Sequence, residues 1–291
     1  MKFTPFITLC LAMLLFQSCK KQNDANTSEA NVNFIFKFDS TQVRLNAIGQ
    51  PSPMPPGNAG QSPRFNAMST HYVELAPNAT TALGGGAVLY RAPEVNTGGA
   101  NAIDFSKAKF AGNNQLFLSV PIKSFSAGTY NWLRISLAYQ NYNVYVNALG
   151  QTIDATLASF IGFNTYLGSH KIKDSTVAVN ANKLQGYWAL EGKIAGAGFL
   201  VKGQAPAGAT TVPNPIFATS PVPQGSCVLT AQFANPFIVT GNETKDINIV
   251  VSLCTNKSFE WIDTDGNGKY DPANGDQVID MGIRGMIPII Q

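Results

Sequence analysis

Apolar and polar residues alternate along much of this chain. From position 33 to 39 every second residue is a phenylalanine, Phe34, Phe36 and Phe38. That period of two places a row of rings on one face of a β-strand. Residues 43–47 read as its continuation. Stretches 71–75, 87–91, 115–122, 130–139 and 142–148 carry the same signature, as do 184–194, 198–202, 227–233, 247–253, 258–262, 277–281 and 282–290. Each is a short run of β-branched, aromatic or leucine side chains bounded by Gly, Pro, Asn or Ser. Residues 126–129 turn between two of the clearest strands. Gly84-Gly85-Gly86 is a hairpin connection, because no Lys-Ser/Thr follows it and no helix opens there. Stretch 153–167 fits a helix or two short strands. No long helix-period segment competes, so the pattern predicts an all-β chain: an antiparallel, Greek-key-like β-sandwich with long Pro/Gly-rich loops.

Two stretches interrupt the alternation. Residues 49–63 hold five prolines and three glycines, and neither helix nor strand is expected there. Such a loop is either functional or a surface excursion. Residues 204–226 carry Pro206, Pro213, Pro215, Pro221 and Pro223. They form either a domain linker or a long crossover within one sandwich. The 65 residues that follow are few for an independent core. The expected organisation is one domain over 32–291, with a sub-boundary at 204–226.

The first 31 residues are of another kind. Lys2 precedes an almost wholly apolar run, 3–16, which ends at Ser18-Cys19. The run is short for a membrane span and reads as a signal peptide over 1–18. Leu14-Leu15-Phe16-Gln17-Ser18-Cys19 resembles a bacterial lipobox, which implies a lipid on Cys19 and a membrane held through that lipid. Residues 19–31 are polar and without period, as a flexible tether would be. In these respects the chain resembles envelope lipoproteins of the Bacteroidota type. That resemblance implies an outer-membrane lipoprotein. Lys20-Lys21 stands where an acidic display signal would follow the cysteine, so a periplasmic and a surface-facing location both stay open.

Charge excludes some partners. Twenty Lys and Arg against 17 Asp and Glu give +3, and only 13% of residues are charged. No basic footprint for nucleic acid follows from this. Of four cysteines, Cys10 leaves with the signal and Cys19 takes the lipid. Cys227 and Cys254 remain. In an oxidising compartment they are a candidate disulfide, and closing a loop of that length would contribute about 3 kcal/mol. The alternative is two buried thiols.

The strongest chemical signal is the DxDxNG stretch near the C-terminus. Asp263, Asp265, Asn267 and Asp271 fall at places 1, 3, 5 and 9, with Gly268 at 6 and the Lys269 carbonyl at 7. Alternate oxygen ligands around a glycine turn suit a hard divalent cation. The stretch resembles EF-hand and dockerin-type calcium loops, which implies a calcium site. Place 12 is Asn274 rather than Glu, and Pro272 obstructs an exiting helix. The expectation is therefore a calcium loop between two strands, with Asp276 as a late carboxylate ligand. The alternative is an Asp/Asn/Gly turn without metal. The ion would be structural, since no His or Glu is placed to activate water.

Other constellations are thinner. His71 and His170 are the only histidines, too few for an imidazole-built zinc or copper site. His71 is expected to be structural and His170 to lie in a surface loop. Glu74, Glu94, Glu191 and Glu260 could pair for glycoside cleavage, the glycan-active enzyme alternative. Tyr139, Tyr142, Tyr145, Tyr166 and Trp188 could face a sugar, with Trp132 and Trp261 as core. Asp39-Ser40-Thr41 and Asp174-Ser175-Thr176 resemble short O-glycosylation acceptors. Segments 127–135 and 186–192 resemble parts of MbnP-like periplasmic copper-binding β-proteins, which implies a copper-binding alternative. The reading preferred is non-catalytic: a binding or scaffold module for a glycan or a partner protein.

Overall fold

The computed structural model describes residues 29–206, 214–216, 218–222 and 227–291. The signal, Cys19 and most of the 204–226 stretch lie outside the described residues. Eighteen strands, numbered in chain order, occur among those described. The protein is all-β, a sandwich-like fold in which one sheet curls into a half-barrel.

The first sheet is built around β1 (Asn31–Asp39). It lies between β15 (Ile247–Cys254), to which it is parallel, and β7 (Gln115–Pro121), to which it is antiparallel; β18 (Met286–Ile290) borders β15. Burial along β1 follows the alternation of its sequence: Val32, Phe34 and Phe36 are buried between half-exposed neighbours. Phe36 stacks on Phe117 with ring centroids 4.7 Å apart.

The second sheet runs β13 (Ala197–Gln204), β12 (Tyr187–Ile194), β9 (Gln151–Phe160), β8 (Gly128–Ala148), β3 (Arg64–Ala76), β4 (Ala87–Arg91), and β14 (Val228–Val239) also pairs with β8. Strand β8 is 21 residues long. Its first half pairs with β14 and its second half with β9, while β3 follows the opposite edge. The first half of β8 packs Leu133 and Ile135 against β1 and β15 in the main core. The second half is covered on both faces. Tyr142, Val144 and Val146 meet Phe259 and Trp261 of a small sheet, β17 (Gln277–Asp280), β16 (Phe259–Ile262), β2 (Asn58–Gln61). Tyr139 and Phe160 meet Leu167 and Val177 of another, β11 (Thr176–Leu184), β10 (Asn164–Lys171), β6 (Ala102–Asp104), β5 (Glu94–Val95). Residues of opposite parity on one strand serve the two faces, as a pleated strand requires.

Several expectations need correction. Residues 43–47 do not extend β1; only Leu45 bridges, to Pro51. The proline-rich loop contains a strand after all, β2, because β16 offers it a partner. Stretches 130–139 and 142–148 are one strand, and 153–167 resolves into β9 and the start of β10. The pairings β1–β15 and β6–β10 are parallel. His170 is not a surface residue: it sits on β10, buried against Phe160 and Tyr187. The bridge between Cys227 and Cys254 is not made. Both thiols are free and buried. Cys254 ends β15 in the first sheet, its Sγ donating to the Val43 carbonyl at 3.6 Å, and Cys227 lies 2.7 Å from Ser136 Oγ of the second. Burial pushes both thiols above their ordinary pKa. Residues after 226 supply strands to both large sheets. No helix among the described residues is long and apolar enough to cross a membrane.

Candidate metal centre

The Asp-rich loop leaves β16 and returns as β17, so two hydrogen-bonded strands fix its ends. Trp261, Phe259 and Tyr270 form one aromatic cluster beneath it. Gly266, Gly268 and Gly275 have φ of +68°, +70° and +99°. Side chains with a Cβ resist that region, so glycine is required for these reversals.

Each acidic side chain gathers N–H groups. Asp263 accepts from the Asn267 and Gly268 amides at 3.2 and 2.9 Å. Asp265 accepts from the Asn267 amide at 3.2 Å and from Asn267 Nδ2 at 2.8 Å. Asp276, which is buried, accepts from the Thr264 and Asp271 amides at 2.9 and 2.8 Å, and so pins the two ends of the loop together. One carboxylate oxygen from each of Asp263, Asp265 and Asp276 lies within 4.8 Å of the other two. At such separations each pair of like charges repels by about 1 kcal/mol in water, and several-fold more where water is partly excluded. The N–H donors offset part of this. The donor set is all oxygen and anionic, which fits a calcium-class ion.

Of the other residues read as ligands, Asn267 Oδ1 accepts the Lys269 N–H at 2.7 Å, a bond that leaves the Lys269 carbonyl untouched. Asp271 is buried and its Oδ2 accepts from Asn147 and Asn274 at 2.8 and 2.9 Å. It ties the loop to the end of β8 instead of joining the three converging oxygens. Asn147, which also donates its amide to the Tyr270 carbonyl at 2.7 Å, had no signal in the sequence.

Next to the loop lies an ion network that the sequence did not reveal. Glu260 Oε2 accepts from Arg44 and from Arg284, the latter at 2.6 Å, while Oε1 accepts from Asn58 at 2.7 Å. All three charged side chains are nearly inaccessible. Burial pushes the Glu260 carboxyl up, but Asn58 and the two guanidinium groups outweigh it and its pKa falls. Asp280, 3.2 Å from Arg284, is raised to about 6, chiefly by burial.

The four glutamates considered for glycoside cleavage each have their own partners. Glu74 binds the Gly84 and Gly86 amides and Arg134. Glu94 is exposed and binds Asn101. Glu191 accepts from the amides of 173–175, and Glu260 sits in the network above. His71 and His170 lie in separate aromatic surroundings, beside Phe163 and Phe160 respectively, and burial lowers both to about 4. Of the aromatic residues considered for sugar contact, Tyr139 and Tyr142 are buried and Trp188 and Tyr166 half-buried. Tyr145 is exposed, with Arg64 over its ring. Trp132 and Trp261 are core residues. Among the described residues the three aspartates are the one His/Cys/Asp/Glu group arranged to hold a metal. No protein-family model matches the chain, and neither a curated protein nor a solved structure matches it.

Proposed function

We propose that the chain is a non-catalytic binding or scaffold protein of the cell envelope. A lipid on Cys19 holds it to the membrane, and one calcium ion orders the 263–276 loop. The observation that carries the metal assignment is the approach of Asp263, Asp265 and Asp276 to within 4.8 Å of one another, at the end of a strand-framed loop. The apolar run before Cys19 and the polar stretch after it support the anchor.

A cation bound only by the folded state adds stability by mass action, about 3 kcal/mol at a hundredfold excess over Kd. For a domain of this size that raises Tm by about 5–10 °C. Titration calorimetry should find one calcium per chain, and calcium should raise Tm over chelator. Identical melting curves in calcium and chelator refute the metal half. Metabolic labelling with a clickable fatty acid should mark the wild type and leave Cys19→Ser unmarked; equal labelling of the two refutes the anchor half.

A further inference from the structure

A cavity of about 340 Å³ lies between the curled half of the second sheet and the small sheet beside the loop. Its floor is apolar and buried: Leu137, Val144, Leu157, Ile161 and Phe259. Its mouth is marked by the exposed Gln204, Pro206 and Ile279. Well-packed interiors hold few voids larger than a water molecule, and the destabilisation a void causes grows with its volume. This space is far larger than one water and falls in the range of ligand pockets.

A second observation points to an occupant. Gln140 lines the cavity and is 1% exposed. Its Nε2 donates to the Met281 carbonyl at 3.2 Å, which fixes the amide's orientation, since the flipped form would set two oxygens against each other. Its Oε1 has no hydrogen-bond partner among the described residues. A buried acceptor without a donor is costly. The one charged side chain on the wall, Asp280, is also an acceptor when ionised. Gln140 Oε1 thus asks for a donor, and the apolar floor asks for hydrocarbon.

We propose that this cavity binds one small hydrocarbon molecule carrying a hydroxyl, with its chain on the Val144–Leu157–Phe259 floor and its O–H donated to Gln140 Oε1. The proposal rests on the binding-module reading and names its ligand. The calcium ion and the lipid anchor do not enter it.

The test titrates the mature chain with 1-decanol and, separately, decanoate, following fluorescence of the cavity-lining Trp188 and counting bound molecules by native mass spectrometry. The expected result is saturable 1:1 binding of the alcohol, with the carboxylate at least about tenfold weaker because it presents acceptors to acceptors. Val146→Phe, which fills the cavity, should abolish binding. If that variant does not fold, Ser159→Leu on the same wall replaces it, with retained Tm as the control. Absence of saturable binding, equal binding of alcohol and carboxylate, or undiminished binding to a folded, filled variant each overturns the proposal. Failure here with the calcium shift intact leaves the metal assignment standing.

Discussion

Asp276 does two jobs that can be separated by substitution. As a scaffold it accepts the Thr264 and Asp271 amides from a buried position. As a ligand it supplies an oxygen to the converging group. Hydrogen bonds to a charged acceptor are each worth roughly 1.5–3 kcal/mol. Asp276→Ala should therefore cost about 3–5 kcal/mol with no calcium present, lowering Tm by about 10 °C. Asp265 is exposed and bonds only to Asn267, two residues on. Asp265→Asn should cost under about 1 kcal/mol in chelator. Both variants should lose the upward shift that calcium gives the wild type. The assay is differential scanning calorimetry of the three proteins, each in chelator and in millimolar calcium. Equal melting of the two variants in chelator refutes the scaffold role of Asp276. A full calcium shift in Asp265→Asn refutes the ligand set.

Glu260→Gln removes the charge that Arg44 and Arg284 share in a nearly inaccessible site. Arg284 keeps Asp280, and Arg44 keeps the Ser52 and Pro53 carbonyls, so removing the central charge of this buried network costs about 3 kcal/mol, readable by urea unfolding at pH 7; a change within 1 kcal/mol would show that the network is not held by charge. Asp280 gives a pH signature. Its folded pKa of about 6 stands above the ordinary 3.8, so between those values the folded state holds more protons than the unfolded, and stability falls as pH rises through that window. Asp280→Asn escapes this penalty, so it should gain on the wild type by about 2–3 kcal/mol between pH 4 and 7.5. Parallel stability curves for the two proteins would refute the assignment.

What could be read from the sequence was local. The phenylalanine alternation of β1 sufficed, because its burial needs only a pleat and one apolar neighbour layer. The loop's oxygen spacing was equally plain, since its glycines and aspartates act on residues two to five away. What escaped depends on distant partners. Gln140-Asn141 looked like a break in β8, yet Asn141 donates to the Ile172 carbonyl and Gln140 to that of Met281. Strand β2 exists because β16, some 200 residues later, pairs with it. Asp271 fitted the ligand spacing, but Asn147 of β8 and its neighbour Asn274 hold its Oδ2. The parallel seating of β1 on β15 joins residues about 215 apart, and no short-range pattern could have announced it.

That seating has a mechanical consequence. Strand β1 is the first described element and is clamped along most of its length, eight residues in register with β15 on one side and six paired with β7 on the other, across a register shift between Phe34 and Ile35. A force applied at Asn31 along the strand would load both ladders at once, in shear, instead of peeling them one rung at a time. The edge of the domain at Asn31 is thereby built to resist traction.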